Sequence, residues 1–311
     1  MLRQQRELTT TGGLSRRNLL TACLVFSGLA VMVVDADDAS KKSVPLVTRA
    51  SLIPSLPAVE ILETARVAGA AVVEAPAETH QPTPLEFAIS LLEEAQRRIH
   101  AVESYSAHFI QQEQIGGVLG EENRIRLKVR HAPFSVYMGW IEPNEGREVI
   151  YVDGRDDNRL LAHEGGWKRL LVPMVRLDPN GTQAMKTSRH PITEVGLAYL
   201  TDRLLEDRVR ELSIETVQVT LNEASDRDGR ACWRLEHHHA VPDGTEYGKV
   251  IFYLDQQHGI PVWCQTFDWP NDGAVEGDLL ESYYYGELQL EAGLSDLDFD
   301  CQNSEYGFQR L

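Results

Sequence analysis

Apolar positions define the first element of the chain. Leu85, Ala88, Ile89, Leu92, Ala95, Ile99 and Val102 recur every three or four residues, the stripe of a helix about five turns long. Thr83 stands where it can cap the first amides, Pro84 suits the first helical position and Glu86 closes a capping box. The period then changes. Tyr105–Ile115 alternates loosely. Arg124–Arg130 alternates strictly, with Ile125, Leu127 and Val129 on one side and Arg124, Arg126, Lys128 and Arg130 on the other. Further strands are predicted over Phe134–Ile141, Arg147–Val152, Arg159–His163 and Trp167–Val172. An irregular segment, Pro173–Arg189, follows, then a helix opened by Pro191 and running to Val209 on a seam of Leu197, Leu200 and Leu204. Strands resume over Glu215–Asn222, Ala231–His239, Glu246–Leu254, Pro261–Phe267 and Leu279–Leu290, with Asp228-Gly229, Asp243-Gly244 and His258-Gly259 as hairpin turns. This order predicts an α+β fold, a curved, mainly antiparallel β-sheet (a half-barrel) wrapped over helices.

The chain ahead of Thr83 reads differently. Arg3, Arg6, Arg16 and Arg17 precede an apolar run from Leu19 to Val34, short for a membrane span and suited to a signal-peptide core. Ser15-Arg16-Arg17-Asn18-Leu19-Leu20 resembles the twin-arginine export motif, and Val34-Asp35-Ala36 offers a cleavage site. An export signal is therefore expected over 1–36, with the protein in the periplasm or cell envelope. Membrane contact would come only through an uncleaved signal or through lipidation at Cys23, in Leu20-Thr21-Ala22-Cys23. Residues 37–83, rich in Pro and Ala, read as a disordered linker. A single domain is expected over 84–308.

Charge narrows the options. The formal net charge of −17 argues against nucleic-acid binding, which needs a basic surface. Outside the signal, Cys232, Cys264 and Cys301 form an odd set with no zinc spacing. In a plain meander one strand separates Cys232 from Cys264, about 9–10 Å, too far for a bridge. They are expected not to be bonded to each other.

A helix ending in Val102-Glu103-Ser104-Tyr105-Ser106-Ala107-His108-Phe109, then paired strands, Pro133-Phe134 and Val149-Ile150-Tyr151-Val152-Asp153-Gly154 resembles the LolA-like lipoprotein-carrier superfamily. With Thr187-Ser188-Arg189-His190-Pro191-Ile192 added, the stretch from Leu85 to Phe308 is similar to the bacterial family of domain of unknown function fifteen-seventy-one. The resemblance to the carriers implies export and a half-barrel covering an apolar cavity closed by helices. The chain departs from the carriers in its insert over Pro173–Arg189.

No motif for a catalytic residue stands out. There is no Gly-x-Ser-x-Gly elbow, phosphate-binding glycine loop, His-Glu-x-x-His or dinucleotide fingerprint, and no cofactor or metal is expected. Trp140, Trp233, Tyr253, Trp263 and Phe267 supply aromatic area that could line an apolar pocket on the concave side of the sheet, or fill it as core. Arg189 and His190, with Glu194, stand where a loop enters a helix and could bind an anion or anchor the loop. The cationic row on Arg124–Arg130 could meet headgroups or pair with acids on neighbouring strands. These features favour a non-catalytic envelope protein binding a lipid or lipoprotein acyl chain. An envelope scaffold with a filled core, contacting another envelope protein, is the alternative. A metal-dependent hydrolase using His237 and His239, which share a strand face, is a second alternative.

Overall fold

Among the described residues, twelve strands form one sheet, and every pairing in it is antiparallel. The computed structural model describes residues 81–166, 173–242, 245–271 and 274–309, all within the compact unit Ala75–Leu311. The expected export signal, nearly all of the Pro-rich segment, the strand expected over Trp167–Val172 and the expected Asp243-Gly244 turn lie outside the described residues.

The first half of the sheet comprises β1 (Ser104–Ile115), the short β2 (Val118–Leu119), β3 (Asn123–His131), β4 (Phe134–Glu142), β5 (Glu148–Val152), β6 (Leu160–His163) and β7 (Val175–Leu177). The second half comprises β8 (Val217–Ser225), β9 (Ala231–His239), β10 (Lys249–Asp255), β11 (Pro261–Phe267) and β12 (Leu279–Leu290). Each half is a meander. They join where β1 pairs with β12, giving the order β7-β6-β5-β4-β3-β1-β12-β11-β10-β9-β8, with β2 hairpinned onto β1. The result is the expected open, curved antiparallel sheet.

Helix α1 (Pro84–Ala101) carries the capping box: the Glu86 amide donates to Thr83 Oγ1 and the Thr83 amide to Glu86 Oε2. It buries Ala88, Leu92, Ala95 and Ile99 in the core. Fully burying an aliphatic side chain such as Leu92 contributes about 1.5–3 kcal/mol. Helix α2 (Leu197–Glu211) starts six residues later than Pro191 suggests. Pro191 leads only into a short 3₁₀ turn, Ile192–Glu194, and Gly196, with φ of 124°, breaks the chain before α2 begins. The insert is also less irregular than expected, because β7 lies within it as the edge strand.

The main core lies between the sheet and the helices, with Phe109, Ile125, Leu127, Val129, Phe252 and Val262 among its strand residues. A smaller core lies on the opposite face. There Tyr137, Ile150, Val152 and Leu161 are covered by Phe299, Tyr306 and Phe308 of the C-terminal segment. That segment also brings acids to the cationic row, which was expected to find them on neighbouring strands. Lys128 Nζ lies 2.7 Å from Asp298, Arg130 Nη1 lies 2.7 Å from Asp296, and the Arg130 guanidinium sits over the Phe299 ring. Arg124 pairs with Glu142 on β4.

Cys232, Cys264 and Cys301 are free thiols. β10 lies between the strands carrying the first two, as the meander requires.

Candidate functional site

Helix α2 is held over the junction of the two half-sheets by its own first amides. Its N-cap is Gly196, which has no side chain to offer. The Leu197 N–H instead donates to Tyr105 Oη on β1, 2.7 Å away, and the Gly196 N–H is taken by the Tyr285 phenol on β12. Both tyrosines are buried. Two hydroxyls from the two central strands thus do what a capping side chain does elsewhere.

Beneath this helix end lies a cavity of about 320 Å³. Phe109, Leu200, Leu204, Val250, Cys264 and Tyr285 supply apolar walls from β1, α2, β10, β11 and β12. Thr266 also lines it; the residue is only 5% exposed and its Oγ1 has no partner. Such an unpaired hydroxyl in an apolar wall costs about 1–3 kcal/mol unless something bonds it. A second cavity, about 400 Å³, lies across the segment Ser188–Val195 and is lined in part by Met138, Trp140, Leu160 and Ile192. Gln111, Ser188, His190 and Val195 border both cavities.

One side of the first cavity is polar, and strand register explains why. Glu113 on β1 stands directly opposite Glu281 on β12, a like-charge cross-strand pair that is unfavourable alone. The insert brings the countercharges. The Arg189 amide donates to Glu113 Oε2, Arg189 Nε donates to Glu281 Oε2 at 3.0 Å, and His190 Nε2 lies 2.9 Å from the same oxygen. His190 Nδ1 faces Glu194 at 3.2 Å, Tyr247 donates its hydroxyl to Glu281, and Tyr283 donates its own to Glu113. Burial alone would depress the His190 imidazole, but its bond to Glu281 and then to Glu194 raises it to about 9. Burial likewise pushes the Glu281 carboxyl up, and His190 and Arg189 more than offset it, holding it below the usual carboxylate range.

The aromatic residues singled out by sequence divide between the two faces. Trp140 lies on the helix side, borders the second cavity and donates its indole N–H to Asn123 Oδ1. Trp233 is on the same side but packs edge-on against Phe87 of α1 as part of the core. Tyr253, Trp263 and Phe267 lie on the outer face, which corrects their expected place in a pocket. Tyr253 and Trp263 stack with centroids 4.6 Å apart, Trp263 bonds Ser282, and Lys249 sits 4.2 Å from the Phe267 centroid. For Arg189 and His190, of the two roles open to them, the geometry favours one. They serve as the loop anchor and not as an anion site, because three carboxylates already surround them.

His237 and His239 do share the inner face, beneath α2. His237 Nδ1 lies 2.8 Å and His239 Nε2 3.1 Å from the oxygens of one carboxylate, Glu211, which Arg208 also contacts at 2.7 Å. Burial and the Arg208 charge push the His237 imidazole down to about 4. No group of three or more His, Cys, Asp or Glu among the described residues is disposed to hold a metal. The hydrolase reading therefore has no centre there. Arg208 and Glu211 were missed from sequence. The available signal was their position on the buried seam of α2, in phase with Leu197, Thr201 and Leu204, where a charged residue needs a partner.

Fold and site together define, among the described residues, an open antiparallel sheet carrying two helices on one face, with one cavity between the second helix and the sheet and another under the segment that leads into that helix. Residues 102–308 match the family model described as "Protein of unknown function (DUF1571)", and the chain belongs to that family. A search of curated proteins returns no match. Among solved structures, the chain is similar to the Mycobacterium tuberculosis lipoprotein LppX, at 11% identity, covering 69% of this chain and 98% of that one, with a TM-score of 0.41. It is also similar to a putative outer membrane lipoprotein-sorting protein domain from Vibrio parahaemolyticus, at 16% identity, 68% and 97% coverage and a TM-score of 0.30. A DUF1329 family protein from Desulfovibrio piger aligns at 12% identity, 70% and 98% coverage and a TM-score of 0.34.

Proposed function

We propose that this chain is an exported envelope protein that holds an apolar ligand of the lipid or acyl class between α2 and the sheet and does no chemistry on it. The observation that carries the reading is the cavity of about 320 Å³ under α2, walled by Phe109, Leu200, Leu204 and Val250. Its size falls at the lower end of small-molecule sites. The neighbouring cavity beyond Ser188–Val195 offers a continuation for a longer chain. Thr266 Oγ1 gives a single polar contact within the apolar wall. The acids and cations at the rim are bonded to one another, which leaves them suited to shaping an entrance and not to attack or proton transfer. The double arginine and apolar run near the N-terminus support export.

The test uses the full-length chain produced in a bacterial periplasm, extracted with organic solvent and analysed by mass spectrometry, alongside uptake of a fluorescent fatty acid. About one lipid per protein is expected. Leu200→Trp, which fills the wall, should weaken uptake about tenfold, a change of roughly 1.4 kcal/mol, with an unchanged circular dichroism spectrum. Folded protein that is empty on extraction and takes up no probe would overturn the proposal.

A further inference from the structure

A third cavity, about 640 Å³, opens beside the C-terminal half of α2, against β9 and β10. It borders on Arg203, Asp207, Glu246, Tyr247 and Val250, and each of these also lines the apolar cavity. The two spaces therefore adjoin. Their chemistry differs: the apolar one presents Leu200, Leu204 and Phe109, whereas this one presents Arg208, Glu211, His239 and Thr245.

Arg208 is the unusual member. It is 2% exposed, and its Nη2 lies 2.7 Å from Glu211 Oε1, but its Nε and Nη1 have no partner. His239, also buried, turns Nε2 toward Glu211 and leaves Nδ1 without a partner. Thr245 Oγ1 is a further unpaired donor at the same cavity, and Glu211 Oε1, though close to Arg208 and His239, makes no well-aligned hydrogen bond either. Unpaired buried groups of this kind are costly, most of all on a charged side chain. A ligand oxygen would remove that cost. Arg208 supplies donors only, Thr245 can donate or accept, and His239 Nδ1 can accept from the hydroxyl of an acid group. Other cations do not compete for the role. Arg203 is held by Asp207, Glu206 and Glu246, and Arg210 by Asp207 and Glu206.

We infer that this cavity is an oxyanion subsite, in which Arg208, Thr245 and His239 receive a carboxylate or phosphate group. The inference deepens the proposed function and rests on it in one respect: the adjoining apolar cavity would take the chain of an acid-headed amphiphile. The same donors would accept a free oxyanion, so the source of the group is for experiment to decide.

Calorimetric titration of the full-length protein, after removal of bound lipid, with dodecanoate, dodecanol, acetate and inorganic phosphate tests both parts. Dodecanoate is expected to bind at least about tenfold more tightly than dodecanol, the usual worth of a charge-assisted hydrogen bond. Arg208→Lys keeps the charge beside Glu211 but removes the unpaired guanidinium donors, and should abolish that preference while leaving dodecanol binding in place. Thr245→Val, at a half-buried position, should reduce the preference about threefold or more, and carries the test if the arginine variant does not fold. Binding of acetate or phosphate alone, lost in either variant, would support the subsite with a free oxyanion as its ligand. If phosphate binds and neither dodecyl compound does, the subsite stands and the apolar-ligand reading falls. Equal binding of dodecanoate and dodecanol, with no binding of acetate or phosphate, would overturn the subsite.

Discussion

Replacing Tyr105 by Phe removes one oxygen atom from the centre of the protein. Tyr105 is fully buried, and its hydroxyl accepts the Leu197 N–H that starts α2. Without it, that amide has no water to turn to, and the loss should cost about 1–3 kcal/mol. In a domain of this size each kcal/mol lowers the melting temperature by roughly 2–4 °C, so a drop of about 2–12 °C is expected. Urea unfolding followed by circular dichroism gives the free energy, and amide exchange across α2 locates it. Gly196→Ala should cost more than Tyr105→Phe. The backbone there has φ of 124°, and an added Cβ would stand 2.7 Å from Tyr105 Oη. In the double variant the clash with Oη is gone, so the two costs should fail to add by at least about 0.5 kcal/mol. A Tyr105→Phe protein as stable as the parent, or strictly additive costs, would refute the account of α2 as a helix capped by strand tyrosines.

Three further outcomes follow from the same geometry. The His190 value of about 9 lies above the ordinary value near 6.5. The folded state thus binds the extra proton, and the stabilisation is complete below about pH 6.5 and lost as pH rises through about 9. Because the side chain is a third exposed, the effect is discounted to about 1–2 kcal/mol; urea midpoints should fall across that window in the parent and stay flat in His190→Asn. Burial raises the Cys232 and Cys264 thiols to about 12, so a thiol reagent at pH 8 should label the half-buried Cys301 in native protein and reach the other two only after unfolding. A chain ending at Gly293 uncovers Tyr137, Ile150, Val152 and Leu161 and leaves Lys128 and Arg130 without Asp298 and Asp296. It should lose several kcal/mol and aggregate in sedimentation assays, at the scale of about 1.5–3 kcal/mol per large apolar side chain exposed.

What could be read from sequence was local. The box formed by Thr83 and Glu86 spans four residues, and the alternation of Ile125, Leu127 and Val129 needs only one strand. Alternation does not say which side is inward, however. Tyr253 and Trp263 went to the wrong face because the outer surface is itself aromatic there, interleaved with Arg227, Arg230 and Arg234. Partners far along the chain were invisible. His190 meets Glu281 across 91 residues, and nothing near His190 announces that two carboxylates need its charge. Arg208 and Glu211 were within reach, since a charged pair on the apolar seam of a helix is a local pattern.

The pairing of β1 with β12 also bears on how the chain acquires its shape. Ser104–Ile115 is made early and Leu279–Leu290 almost last, yet they are neighbours at the middle of the sheet. Until the last strand arrives, each growing half carries an unpaired strand edge, the kind of surface that recruits other chains. Contacts so distant in sequence form slowly because the intervening loop must first be closed. A chaperone that meets the chain during synthesis therefore handles it with its central seam open, and the cavity under α2 comes into being only when that seam closes.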